Sequence, residues 1–272
     1  WPTVRWRASR SSTLCWTSVD KPLKVNGSAQ FDIDVRLPGL LYASIERAPA
    51  FGGSVRTVDD SRAKATPGVK HVMQIASVAS ARSANAVAVV ANHYWPALTA
   101  RRALGIQWDG GPNASLDSAA ISAKLGELAK QPGVEARKEG DAAAAIAGAA
   151  KRIDAVYEVP FLAHATMEPM NCTARVGPDG CDVWAPTQNQ SMSQRVAMEI
   201  TGLPAEQVRI HTTFLGGGFG RRSEPDFVAE AVQLAKATGA PVQVIWTRED
   251  DIRHDFYRPT TYNEFHAALD AS

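Results

Sequence analysis

The chain has 272 residues, 45% of them apolar and 21% charged, a balance ordinary for a folded globular protein of one or two domains. Its 29 Lys and Arg against 28 Asp and Glu leave a net charge of +1, which removes any electrostatic case for nucleic acid or an anionic membrane surface. No apolar run reaches the roughly 18 residues of a membrane span, and the three cysteines and six histidines show no Cys-x-x-Cys or His-x-x-x-His spacing, so neither a redox pair nor a protein-ligated zinc site is indicated.

Residues 1–20 carry Trp1, Trp6 and Trp16 among many Arg and Ser with no periodicity; they are left unassigned, as a disordered stretch or a truncation scar. Residues 21–112 alternate strands with short helices. Gln30 to Val35 alternates as a strand, Leu40 to Ile45 and Val69 to Ile75 are apolar strands, and Ala86 to Val90 is a strand buried on both faces. Tyr94 to Leu104 predicts a helix closed by Gly105, and Ile106 to Trp108 another strand. Gly110-Gly111-Pro112-Asn113 marks a domain boundary.

Residues 113–151 read as a helical connector, with helices from Leu116 to Lys130 and, behind Gly140-Asp141, from Ala142 to Lys151. A second α/β domain, 152–272, opens with a strand from Ile153 to Val159. A hairpin from Cys172 to Ala185 turns at Gly177-Pro178-Asp179-Gly180 and sets Val176, not Cys172, opposite Cys181, so all three cysteines are read as free thiols. A helix from Ser191 to Thr201, a strand from Val208 to Thr213, a helix from Pro225 to Ala237 and strands from Val242 to Trp246 and Tyr262 to Leu269 complete the order. The chain stops at Ser272, soon after this last strand, which reads as a domain cut short.

The most informative stretch is Phe214-Leu215-Gly216-Gly217-Gly218-Phe219-Gly220-Arg221-Arg222, between a strand and a helix. Glycines admit positive φ and let an anion approach backbone N–H groups, the arginines offer forked cationic partners, and the following helix can aim its N-terminus at the same anion. A dinucleotide fingerprint fails because its last glycine falls on Arg221, and a Walker loop fails because Gly220 is followed by Arg221 rather than Lys. A plain surface turn is the bland reading, and the ring of Phe219 weighs against it.

Three segments in order carry a resemblance: Ala163-His164-Ala165-Thr166-Met167-Glu168-Pro169-Met170-Asn171, Trp184-Ala185-Pro186-Thr187-Gln188-Asn189-Gln190, and the glycine loop. Together they resemble the molybdopterin-binding large subunit of the molybdenum hydroxylases, the xanthine dehydrogenase and aldehyde oxidase superfamily. The Gly-Gly-Gly-Phe-Gly-Arg-Arg form, followed by Thr247 to Asp255, is most similar to the isoquinoline 1-oxidoreductase beta subunits, and Val25-Asn26-Gly27 with Asp34 to Ala43 resembles that family's hammerhead domain. The resemblance implies an α/β (α+β) fold: a hammerhead-type α/β domain followed by the first part of a molybdopterin-binding α/β domain.

Position by position, the resemblance sets Gln188 beside a molybdenum oxo ligand, Phe219 beside the metal, and Gly217, Gly218 and Gly220 as backbone donors to the cofactor. Arg221 and Arg222 become candidates for its dinucleotide phosphates, although relatives carry Gly-Lys there. His164 and Glu168, four apart but hemmed in by Pro160 and Pro169, are expected to order the cavity wall rather than bind metal, with His164 facing the substrate. Glu249-Asp250-Asp251 is read as a solvated or salt-bridged turn because Arg248 and Arg253 flank it.

The resemblance implies hydroxylation of an aldehyde or N-heteroaromatic carbon with water-derived oxygen, by molybdenum on molybdopterin in its cytosine dinucleotide form in the full-length protein and with no cofactor expected on the fragment alone, and electron transfer to an iron-sulfur small subunit. This chain lacks cysteines for such clusters. The family's glutamate base falls beyond Ser272, so no catalytic residue is assigned and the expectation is a fragment silent by itself, with no direct metal ligand. Related beta subunits are often periplasmic, and the chain carries no export signal by which to assign a compartment. The competing reading is a non-catalytic anion-binding or structural module derived from that fold.

Overall fold

The structure, a computed structural model, describes residues 21–270; the expectations for residues 1–20, Cys15 included, lie outside the described residues. The chain order is α1 (Lys21–Val25), β1 (Leu41–Arg47), β2 (Ser54–Asp59), α2 (Ser61–Lys64), β3 (Val69–Ile75), β4 (Ala86–Ala91), α3 (Tyr94–Arg102), β5 (Gly105–Asp109), α4 (Ser118–Ala129) and α5 (Ala142–Ala147). It continues through β6 (Lys151–Val159), β7 (Asn171–Gly177), β8 (Gly180–Ala185), α6 (Gln190–Thr201), β9 (Val208–Thr212), α7 (Asp226–Thr238), β10 (Val242–Ile245), α8 (Arg248–Arg253) and β11 (Thr261–Leu269).

Seven strands form one mixed sheet in the order β3-β4-β1-β10-β7-β8-β9. β1 runs parallel to β10 and β8 parallel to β9, and the other neighbours are antiparallel. The sheet crosses the boundary expected at Gly110 to Asn113, since β3, β4 and β1 come from before it and β10, β7, β8 and β9 from after it. β4 explains how the two faces are used: Ala86, Ala88 and Val90 join the main core with α7, while Val89 joins Ala63 and Ala100 of α2 and α3. With side chains alternating across a strand, helices therefore cover both faces, and β4 reads as an unbroken apolar run.

α7 supplies Phe227, Val228, Ala231, Val232, Leu234 and Ala235 to the core, each of the larger ones worth roughly 1.5–3 kcal/mol of burial. It ends at Gly239, whose φ of 66° closes the helix at no steric cost. A buried ion pair fixes its rotation: Arg47 at the end of β1 grips Glu230 through two 2.6 Å bonds, and Trp246 Nε1 donates to the same carboxylate at 2.9 Å.

The hairpin register is as expected, with Val176 opposite Cys181, and Cys172 and Cys181 are buried free thiols. One strand is corrected: Gln30 to Val35 forms a single 3-10 turn at Asp32–Asp34, with Phe31 alone bridging to Phe214. The alternation came from Asp32 and Asp34, but Asp34 turns back to accept the Phe31 N–H at 3.1 Å and Asp32 is buried. Short acidic side chains that satisfy nearby backbone donors compete with a strand ladder. Outside the main sheet, β6 and β11 make a two-stranded ribbon with α4 against it, and β2 pairs with β5.

Candidate active site

The glycine loop leaves β9 and ends in a 3-10 turn, Arg221–Ser223, ahead of α7. Gly217, Phe219 and Gly220 have φ of 98°, 53° and 100°. Glycine takes such values freely, whereas Phe219 does so at a cost on the order of 1 kcal/mol. Two further glycines are demanded by close approach. A Cβ on Gly216 would collide with the Cβ of Glu168, and one on Gly218 would sit 2.6 Å from Cδ of Gln188.

Side chains from the other two segments pin the ends of this loop. Glu168 Oε2 accepts the Gly216 N–H at 2.9 Å, and Gln188 Oε1 accepts the Gly220 N–H at 3.1 Å. The N–H groups of Gly217, Gly218 and Phe219 between them have no acceptor among the described residues. Successive unpaired N–H groups in a glycine-rich turn form a nest for an anionic oxygen. Phe219 stands at its edge with 68% of its surface exposed.

Gln188 is aimed by its neighbours. Its own N–H donates to the Arg222 carbonyl at 3.0 Å, Thr187 Oγ1 bonds the same carbonyl at 3.2 Å, and Asn189 caps α6 through the Met192 N–H at 3.1 Å. With Oε1 taken by Gly220, the Nε2 of Gln188 is left as the donor.

The arginines are not where an anion-binding loop would put them, and this corrects the expectation for their side chains. Arg221 is buried, bidentate to Asp226 at 2.9 and 2.8 Å, with Nε 2.9 Å from Asp255 Oδ1 outside hydrogen-bond geometry. Its N–H is spent on the Gly218 carbonyl. Arg222 is equally buried and staples the loop shut, donating from Nε to the Gly217 carbonyl at 2.8 Å and from Nη2 to the Glu168 carbonyl and carboxylate at 2.6 and 3.0 Å. Burial lowers the Arg222 guanidinium below its usual range, opposed chiefly by Glu168. The N-terminus of α7 likewise meets Asp226 of its own first turn, with Arg221 on that carboxylate.

The 164–168 segment is a loop, as its prolines required. His164 Nδ1 lies 2.9 Å from Asp255 Oδ2, which also accepts the His164 N–H, and only 10% of the ring is exposed. Arg248 Nη2 holds the Thr166 and Met167 carbonyls at 2.5 and 2.8 Å. Ala165 has a φ of 45°, so strained non-glycine backbone stands on both sides of the loop. The acidic run lies in α8, capped by Thr247, with Asp250 paired to Arg101 at 2.7 Å and Asp251 to Arg248 at 2.5 Å. Sequence reasoning missed Asp226 and Asp255; two adjacent arginines headed for a core were the available sign that carboxylates had to follow.

Residues 128–272 match the family model described as the molybdopterin cofactor-binding domain. The chain belongs to this family. It is 32% identical over 266 residues to the isoquinoline 1-oxidoreductase subunit beta of Brevundimonas diminuta, covering 92% of this chain and 32% of that protein. It is 30% identical over 259 residues to the membrane-bound aldehyde dehydrogenase [pyrroloquinoline-quinone] of Gluconacetobacter polyoxogenes, covering 94% of this chain and 33% of that one. The chain thus spans about a third of the length of these relatives. Quinoline 2-oxidoreductase from Pseudomonas putida 86 shares the fold with a TM-score of 0.70 at 20% identity, over 97% of this chain and 37% of that one.

Proposed function

We propose that this molybdopterin-binding chain forms one wall of the active-site pocket of an oxidoreductase that hydroxylates an aldehyde or an N-heteroaromatic carbon. The observation that carries the reading is the meeting of Gln188 with the glycine loop at 3.1 Å, because it brings an amide donor, three open N–H groups and an exposed ring to one point. These groups fit the cofactor on physical grounds: the nest suits an anionic oxygen, an uncharged amide donates to an oxo group without displacing it, and a ring keeps bulk water away. When bound, molybdenum on its pterin supplies the oxidation itself. The expected Gly220 donor is taken by Gln188 Oε1, so the Gly217, Gly218 and Phe219 N–H groups would hold the cofactor, with Gln188 Nε2 as a donor to its oxo side and the Phe219 ring as a shield. His164, kept by Asp255 with Nδ1 as donor, presents Nε2 toward substrate. No residue of this chain is assigned as the base, and the cofactor's phosphates are not given to the Arg221 and Arg222 side chains.

An iron-sulfur subunit is the proposed electron acceptor, in line with the "subunit beta" name of the Brevundimonas relative. The test is cofactor analysis of the chain expressed alone and together with whatever polypeptide and subunits are encoded with it. Molybdenum and pterin at stoichiometric amounts in the assembled protein, and little in the isolated chain, are expected. Pyrroloquinoline quinone without molybdenum in the assembly sinks the reading, and full molybdenum in the isolated chain sinks the view that one wall alone is insufficient.

A further inference from the structure

A cavity of about 200 Å³ that the cofactor reading does not use is lined in part by Asp226 and Glu230 of α7. It opens between the turn after β1, the segment before β4 and the end of α8, and its walls include Phe51, Trp246, His254, Arg253 and Phe256. At that volume it is smaller than the pockets that take drug-sized ligands, which limits an occupant to about one ring.

The charges around it are almost all spoken for. Arg47 is bound to Glu230, Arg82 pairs with Glu224, and Asp226 is held by Arg221. The guanidinium of Arg253 is exposed and has no hydrogen-bond or ion-pair partner among the described residues. One uncompensated positive charge therefore faces the space, which selects a monoanion over a divalent cation or a doubly charged phosphate. The His254 ring beside it has no hydrogen-bond partner among the described residues. Burial and the neighbouring Arg47 push it down to about 3, so it is neutral and offers one donor and one acceptor. The rest of the wall mixes polar Ser77, Ser83 and Asn85 with Phe51, Trp246, Phe256 and small apolar residues.

We propose that this cavity is a binding site for a small aromatic monocarboxylate, its carboxylate on Arg253 and His254 and its ring against Phe51, the Phe256 ring being held already between the guanidinium groups of Arg82 and Arg221. A ring fits because Phe51 presents 67% of its surface, and a flat apolar ligand would cover it. A carboxylate fits because a planar two-oxygen anion matches the guanidinium fork. Asp226 in its wall is held by Arg221 of the loop, and the proposal stands whether or not the pocket reading is right.

Calorimetric titration of the 272-residue chain with benzoate, benzyl alcohol and acetate tests it. Benzoate is expected to bind at least about tenfold more tightly than either control, since each control lacks one half of the recognition. Arg253→Gln, a surface change that leaves thermal stability as it is, is expected to lower benzoate affinity about tenfold and leave benzyl alcohol unchanged. His254→Leu is expected to weaken benzoate as well. Benzoate binding no tighter than acetate, or unaltered by Arg253→Gln, overturns the proposal.

Discussion

Gln188 and Gly220 meet across 32 positions of sequence, the side-chain Oε1 of one accepting the N–H of the other at 3.1 Å. The same carboxamide packs directly on Gly218, where no Cβ can fit. One side chain thus sets both the end of the loop and the floor beneath it, while its Nε2 stays available.

Gly218→Ala is accordingly expected to displace either Gln188 or the loop. Overpacking of this kind costs about 1–3 kcal/mol, read as a lowered denaturation midpoint, and it should reduce molybdenum content in the assembled protein. Gly133→Ala is the control, because a Cβ there meets nothing within 4 Å among the described residues; its midpoint should stay within about 0.5 kcal/mol of the parent. Equal effects from the two substitutions would mean the close approach is not a constraint.

The Glu168–Arg222 pair should behave as a unit. Arg222 is fully buried and Glu168 12% exposed at a separation of 3.0 Å, and removing one member of a buried pair costs roughly 3–5 kcal/mol because the other is left uncompensated. Arg222→Met and Glu168→Gln are expected to be strongly sub-additive, with a coupling of about 1–3 kcal/mol in a double-mutant cycle by denaturant unfolding. Additive losses would show that the staple acts through carbonyl contacts alone.

Much of this was legible where one periodicity sufficed. The unbroken apolar run of β4 and the hairpin register at Val176 and Cys181 followed from local pattern, while the grouping of three ordered segments around one loop came from their resemblance to a family. What escaped needed partners distant in sequence. Asp32 lay within the stretch read as an alternating strand, yet it sits in a 3-10 turn, buried beside Thr173 and Gln243. Arg221 and Arg222 read as cations facing a ligand, because nothing linear announces that Asp226, Asp255 and Glu168 fold onto them. A positive charge beside glycine is informative only once its carboxylates are located.

Asp32 predicts a pH signature. Burial, reinforced by Glu168, holds its carboxyl well above the ordinary range, and its Oδ1 has no partner among the described residues. A raised carboxyl keeps its proton in the folded state after the unfolded state has lost it. Stability is therefore eroded as pH rises from the unfolded value, about 4, toward the folded one. Asp32→Asn removes this, so the variant should match the parent near pH 4 and exceed it at pH 8 in thermal melts. Asp182 is the opposite case: Arg209, His211 and Arg175 depress its carboxyl, so Asp182→Asn should lose stability at neutral pH, with the deficit shrinking in acid. A parent curve rising between pH 5 and 8 relative to Asp32→Asn would contradict the burial argument.

Phe219 separates function from folding. A large ring that is 68% exposed on a backbone at φ 53° gains little from burial and carries strain, a combination that packing alone does not maintain. Phe219→Ala is expected to change stability by no more than about 0.5 kcal/mol, as exposed substitutions do. Phe219→Gly should be at least as stable as Phe219→Ala, since glycine alone relieves about 1 kcal/mol of left-handed strain. Both should depress turnover in the assembled enzyme, because water then reaches the pocket the ring was placed to shield. If Phe219→Ala costs more than about 2 kcal/mol in a denaturant titration, the ring is a packing residue after all, and its place at the edge of the N–H nest has no catalytic meaning.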